Sequence, residues 1–402
     1  MAVMPEPNQQ SRSDLDDTTT SSARILSIQS HVAFGYVGGK AAIFPLQCMG
    51  YDVDVVNTVN YSNHTGYGHF GGTKTTAEDL TKIFDFMDTS GVLIPSRLLT
   101  GYIPNAASLN AVHQLAQKLK ARDPNLIYLL DPVLGDSGQL YVPEDVIPVY
   151  RKMLSLSTVI TPNWFEVEVL TDIKLTDLDS IRRALSKLHV EYQVPNVVIS
   201  SIPLSRISAV IPEYLLPHEY FEEPINCLHN NKDRSFTPDK QQYLLCIASS
   251  TDPNHLETNS PLSTVYARCV LLIPGYFSGV GDLFSALLLG HFHPPSGVIS
   301  APPLQSSKYR PLANATAHAL SKTHAILSLT STSAADSLPA SDDELDAADP
   351  QRRSKRMKSR ELKLIQGQGI FRSQKPVEEL RVWEGFWNGT GIDGNMNTTE
   401  MK

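Results

Sequence analysis

The chain has 402 residues, 41% of them hydrophobic and 19% charged, with a formal net charge of -8. That length holds one large domain or two ordinary ones, and the apolar fraction suffices for a packed core. The acidic balance excludes a general binder of nucleic acid or of anionic membranes, since both recruit proteins through net basic surfaces, so small molecules or proteins are the expected partners.

From the N-terminus, residues 1–23 (MAVMPEPNQQSRSDLDDTTTSSA) are polar and acidic, with no apolar segment of the signal-peptide kind, and read as a disordered tail. No apolar run in the chain is long enough to cross a membrane. Cys48, Cys227, Cys246 and Cys269 lie far apart without a C-x-x-C pair, which suggests buried thiols in a reducing compartment rather than a zinc site or a disulfide framework. A cytoplasmic protein is expected, or also a nuclear one if the basic run RRSKRMK at 352–358 acts as a signal.

Short β-rich runs then recur: RILSIQS from Arg24, DVDVVNTV from Asp52, RLLTGYI from Arg97, NLIYLLDPV from Asn125, STVITPN from Ser157 and NVVISS from Asn196. Their spacing, roughly 30 to 40 residues, suits strand–helix–strand units. Between two of them, residues 105–124 place Leu109, Val112, Leu115, Ala116 and Leu119 on one helical face, and Pro124 prevents continuation. The pattern predicts a doubly wound α/β fold with a mainly parallel sheet and helices on both faces, extending over residues 24–330. Such sheets bind ligands at the carboxyl ends of their strands. Here those ends carry Ser30-His31, the run from Asn60 to Thr65, Thr100-Gly101-Tyr102, Asp131-Pro132, Thr161-Pro162-Asn163 and Ser200-Ser201. One polar site at the top of the sheet would account for them all.

Beyond Ser201 the pattern loosens. ISAVIPEYLL, QYLLCIAS and VYARCVLLIP read as strand-like pieces joined by long loops within 204–262. Residues 331–360 have few bulky apolar side chains and an acidic block followed by a basic one, and read as a disordered insertion.

The chemistry concentrates in FSGVGDLFSALLLG at 277–290. A Gly-x-Gly loop entering a helix presents backbone amides and the positive end of the helix dipole to an anion. Asp282 at that point either caps the helix or accepts a proton from an attacking hydroxyl, as a kinase requires. Asp131, Asp136, Asn163 and Glu166 gather oxygens on neighbouring strand ends, a set suited to Mg2+ with phosphates and water. Read singly, Thr161-Pro162-Asn163 is a helix start and Asp136-Ser137-Gly138 a turn.

These segments, together with RILSIQSHVAFGYVGGKAAIFPLQCMGYDVDVVNTVNYSNHTGYGHF (24–70), LLTGYI (98–103), LLDPVLGDSGQLYVPEDVIPVY (129–150), ITPNWFEVEVL (160–170) and GVGDLFSALLL (279–289), resemble the pyridoxal kinases of the ribokinase-like superfamily. SNHTGY and QSHV-x-x-GYVG distinguish that family from the sugar kinases. ELKLIQGQ from Glu361 resembles its C-terminal strand, rejoining the domain after the insertion and leading into a tail that ends at 402.

The resemblance implies ATP-dependent phosphorylation of the pyridoxal 5'-hydroxyl, and that of pyridoxine and pyridoxamine, in vitamin B6 salvage. Asp282 would be the base, and the amides of Gly279, Val280 and Gly281 the anion hole. Ser30 and Thr65 would bond ring substituents, while Val59, Tyr61 and Tyr102 pack on the ring. Asp131, Asn163, Glu166 and Ser200, with Val280 and Gly281, would serve ATP. Asp136, Asp131 and Glu166 would stand at Mg2+, and Thr161 with Asp131 at K+. A homodimer is implied. The alternatives are a hydroxymethylpyrimidine kinase of the same superfamily and an inactive homologue serving as a binding or scaffold protein. His31 and His64 flank the ring-binding positions without an assigned catalytic role.

Overall fold

A strand covered on both sides is buried along both, and Arg24–Val32 (β1) is buried from Ile25 to Ser30 and again at Val32. Ile25 faces one hydrophobic cluster while Leu26 and Ile28 face the other. The computed structural model describes residues 23–208, 210–217, 242–251, 261–294, 310–334 and 343–388. All but the last residue of the expected tail over 1–23, the end of the chain from 389, and much of the connections within 204–262 lie outside the described residues.

Eleven further strands follow: β2 (Asp52–Tyr61), β3 (Gly72–Lys74), β4 (Arg97–Thr100), β5 (Ile127–Leu130), β6 (Gly135–Asp136), β7 (Gln139–Leu140), β8 (Val159–Ile160), β9 (Asn196–Pro203), β10 (Tyr243–Thr251), β11 (Ser263–Leu271) and β12 (Arg381–Val382). β6 and β7 form a small hairpin. The others make a 10-stranded sheet in the order β12-β11-β10-β9-β8-β5-β4-β1-β2-β3. From β2 to β9 its neighbours run parallel, and β10, β11 and β12 on one side and β3 on the other are antiparallel additions. The chain winds outward from β1 in one direction and then, from β4, in the other. The reversal between β1 and β4 opens a crevice at their carboxyl ends.

Helices cover both faces. One layer holds α2 (Ala77–Thr89), α3 (Ala106–Arg122), α4 (Ile147–Met153), α5 (Trp164–Thr171) and α6 (Leu178–Ser186). The other holds α1 (Gly39–Cys48), α7 (Val280–His291), α8 (Pro311–Ala334) and, near the chain's end, α11 (Gln368–Arg372). α3 shows how locally the sequence specifies its elements. Asn105 accepts from the Ser108 amide as its cap, Lys120 and Arg122 complement the dipole in its last turn, and the five predicted apolar positions are all buried. No described helix is long and apolar enough to cross a membrane.

Two expectations fail and a third holds in part. Residues 331–360 are not an unstructured insertion where they are described: α8 runs to Ala334, and α9 (Asp343–Ala348) and α10 (Pro350–Ser359) follow. Charge pairing replaces apolar periodicity there, with Asp346 buried between Arg352 and Arg356. ELKLIQGQ is a series of turns rather than a strand: Leu362 and Leu364 are buried, but the Gly367 amide bonds back to the Lys363 carbonyl. The strand that rejoins the sheet is β12. Finally, QYLLCIAS and VYARCVLLIP belong to β10 and β11, whereas the described part of ISAVIPEYLL carries only a 3-10 turn at Glu213–Leu215.

Candidate active site

The strand ends of the parallel sheet open into a cavity of about 710 Å³. Every site residue predicted from the sequence lines it. Ser30 and Val59 are paired across β1 and β2, next to a register shift at Gln29/Ser30 that turns the end of β1. Tyr61 ends β2, Thr65 opens the 3-10 turn Thr65–Tyr67, and half-buried Tyr102 follows β4, its carbonyl accepting from the Thr58 hydroxyl. Asp131 and Thr161 directly follow β5 and β8, Asp136 lies in the β6–β7 hairpin, and Ser200 lies within β9. Gly279, Val280, Gly281 and Asp282 form the entry to α7.

The Asp282 side chain does not cap its helix. Gly279 is the N-cap of α7, in left-handed conformation at φ 81°, and no side chain caps the helix. The Asp282 carboxylate instead accepts from the backbone N–H of Gly38, at 2.7 Å from Oδ2. Both glycines are required by packing. A Cβ on Gly279 would lie 2.0 Å from the Tyr36 carbonyl oxygen, and one on Gly38 2.3 Å from that of Ser30. The loop after β1 and the loop before α7 are therefore in backbone contact, and Asp282 sits where they meet.

Asn163 and Glu166 are a helix start as well as cavity wall. Asn163 Oδ1 accepts from the Glu166 amide and Glu166 Oε2 from the Asn163 amide, a reciprocal capping box on α5. Glu166 Oε1 accepts from the Leu134 amide, and Asn163 Nδ2 donates to the Gly135 carbonyl, which ties α5 to the hairpin loop. Asp136 Oδ1 accepts from the Ser137 amide in a tight turn. The turn and helix-start readings thus hold for these residues, and all of them still reach the cavity.

Burial raises Asp131 above its ordinary carboxylate range and Asp282 adds to this, against a bond from the Ser285 hydroxyl at 2.9 Å. Burial and then Asp131 raise Glu166, against three backbone amides. Burial raises Asp282, and the Gly38 amide opposes it. Among the described residues no Lys or Arg pairs with Asp131, Asp136, Glu166 or Asp282. Mutually repelling, all-oxygen groups without a cationic side chain fit a hard cation. No three described acidic, His or Cys side chains converge into a cage of their own. The oxygen donors of Asp131, Asp136 and Glu166 fit Mg2+, which keeps water and phosphate oxygens in its shell.

Sequence reasoning passed over several residues that the structure connects to this site. Ser285, hidden in the apolar run of α7, bridges Thr161 and Asp131. Gly38 stood within GYVGG without a role. His64, which the sequence placed beside the ring-binding positions without a catalytic role, is buried, accepts from the Gly66 amide through Nδ1 and meets Glu361 through Nε2. The doubled glycines were the one available signal, because they mark close backbone approach.

Comparison with known proteins agrees with this fold. The phosphomethylpyrimidine kinase family matches residues 74–232. A pyridoxal kinase of Arabidopsis thaliana is 37% identical over 268 residues, covering 66% of this chain and 73% of the plant protein. A Homo sapiens pyridoxal kinase is 34% identical over 282 residues, covering 67% of this chain and 78% of its own length. The structure of a Leishmania donovani pyridoxal kinase in complex with ADP and pyridoxamine superimposes with a TM-score of 0.66 at 27% identity, over 90% of this chain and 99% of that one. With its fold, its strand-end cavity and these relatives in agreement, the chain belongs to the pyridoxal kinase family.

Proposed function

We propose that the chain transfers the terminal phosphoryl group of ATP to the 5'-hydroxyl of pyridoxal, and of pyridoxine and pyridoxamine, in vitamin B6 salvage. The observation that carries this reading is the Asp282 carboxylate, held by the Gly38 amide at the first turn of α7 and free of any cationic partner among the described residues. The Gly38 N–H occupies Oδ2, which leaves Oδ1 to take the proton of the substrate hydroxyl. Burial shifts Asp282 upward, toward the working pH of a general base. The amides of Gly279, Val280 and Gly281, aided by the α7 dipole, hold the negative charge of the transferring group without reorganising.

In this reading Ser30 and Thr65 orient the vitamer by hydrogen bonds, and Val59, Tyr61 and Tyr102 exclude water from its ring. Asp131, Asn163, Glu166 and Ser200 serve the nucleotide side with Val280 and Gly281. Asp136, Asp131 and Glu166 would hold Mg2+, which neutralises phosphate charge when bound with ATP. Thr161 and Asp131, joined through Ser285, would hold K+. A homodimer is proposed on family resemblance alone. The relatives named pyridoxal kinase, and the Leishmania donovani complex with ADP and pyridoxamine, support the substrate assignment.

The match to the phosphomethylpyrimidine kinase family favours a second reading, in which the ring is a hydroxymethylpyrimidine. Incubating the protein with ATP, Mg2+ and K+ and assaying pyridoxal against hydroxymethylpyrimidine separates the two. Preferential formation of pyridoxal 5'-phosphate is expected, and a preference for the pyrimidine would overturn the assignment.

A further inference from the structure

We propose that Glu361 is a positioning residue for the vitamer end of the cavity, its carboxylate fixing two substrate-facing loops from the far end of the chain. Oε2 accepts from the Tyr36 amide at 2.8 Å, and Oε1 accepts from the Tyr67 hydroxyl at 2.8 Å and meets His64 Nε2 at 3.2 Å. Because His64 Nδ1 accepts from the Gly66 amide, the ring proton lies on Nε2 and donates to Glu361. Three donors thus converge on one nearly buried carboxylate. Two of them come from the turn that carries Thr65, and the third lies two residues before Gly38, whose amide holds Asp282. Burial alone would raise the Glu361 carboxyl, but its bonds to His64, Tyr67 and Tyr36 outweigh that and hold it below its ordinary range.

The contact is built from outside as well. α10 ends immediately before this segment, and its Arg353 Nε donates to the Gly66 carbonyl at 2.8 Å. Gly35, at φ +95°, has no room for a Cβ, which would lie 2.5 Å from Glu361 Oε1. Glu361 bonds loops rather than the sheet, so its loss should loosen the vitamer site while leaving the fold and the nucleotide side in place.

This inference rests on the proposed vitamer kinase activity. The test compares wild type with Glu361→Gln, which keeps the shape but turns an N–H group toward donors, and with Tyr67→Phe, which removes a single bond and spares folding. For Glu361→Gln the KM for pyridoxal should rise about 10- to 100-fold, as loss of hydrogen bonds to a charged group implies, with the KM for ATP nearly unchanged and the melting temperature lowered in a protein that still folds. Tyr67→Phe should shift the same KM in the same direction by less, and the double variant should fall short of the product of the two effects. Unchanged pyridoxal KM in either folded variant, or an equal rise in both KM values, would overturn the role of Glu361 while leaving the kinase reading intact. A wild type that does not turn over pyridoxal would overturn both.

Discussion

The backbone N–H of Gly38 donates to Asp282 Oδ2 at 2.7 Å, across 244 residues of sequence. This bond joins the loop after β1 to the first turn of α7 and occupies one of the two carboxylate oxygens. Gly38 has φ 54° and ψ -134°, a conformation that a side chain resists, and a Cβ would collide with the Ser30 backbone. Gly38→Ala should therefore displace the amide from Asp282. We expect a stability loss of about 1 to 3 kcal/mol, with a fall in kcat of at least about tenfold beyond what unfolding explains. Urea denaturation and initial rates on the same preparation check both. Normal kcat would mean that the bond does not orient the carboxylate.

The capping box on α5 gives a separable stability effect. Asn163→Ala removes the acceptor for the Glu166 amide and the donor to Gly135, and should cost about 1 kcal/mol or somewhat more. A shift of the urea midpoint measures it. If Asn163 also serves ATP, the KM for ATP rises in the same variant, whereas a cap alone leaves that KM unchanged.

The buried carboxylates make a signed prediction about pH. Asp131 has a folded-state value above its unfolded one, so the folded chain holds its proton more tightly. The resulting stabilisation is present at low pH and is lost as pH rises from the ordinary carboxylate range through the raised folded value. Asp131→Asn keeps the shape without the charge. In the absence of ligands the melting temperature of the variant should gain on that of the wild type between about pH 5 and pH 8, because only the wild type must charge Asp131 in this window. A difference that shrinks as pH rises would contradict the shift. Mg2+ with a nucleotide should narrow the difference by supplying the missing positive charge.

α9 and α10 belong to the fold, and their charges hold them. Asp346 is buried against Arg352 and Arg356, and Arg356 is itself buried. Asp346→Ala strands a buried guanidinium and should cost about 3 to 5 kcal/mol, read as a fall in the unfolding midpoint. No measurable loss would mean that the segment detaches in solution.

Much of this was legible in the sequence because it is locally encoded. The α3 stripe of Leu109, Val112, Leu115, Ala116 and Leu119 needs only helical periodicity, and the polar residues at the strand ends need only the rule that parallel sheets bind at their carboxyl edges. The placing of Ser30 and Asp131 in the cavity follows from the strand-end rule, and Asp282 is marked instead by the Gly-x-Gly loop that enters α7. What escaped the sequence depends on partners distant along the chain. Residues 343–359 look like a solvated charge run until Asp346 meets Arg356 and Arg353 meets Gly66. Leu362 and Leu364 alternate as in a strand, yet the backbone turns and, among the described residues, no strand pairs with it. Ser285 sits in an apolar helix, and nothing within three or four residues shows that its hydroxyl reaches Asp131.

The central claim is that Asp282 takes the proton of the vitamer hydroxyl during phosphoryl transfer, and kcat for pyridoxal phosphorylation by Asp282→Asn tests it most directly. Asparagine keeps the shape and can still accept from the Gly38 amide, so both KM values should stay close to wild type and the melting temperature should not fall. Loss of general-base catalysis predicts a fall in kcat of about 10² to 10⁴, or about 3 to 5 kcal/mol of barrier, with residual turnover from the α7 amides. A stable Asp282→Asn protein that turns over pyridoxal at the wild-type rate would contradict the account.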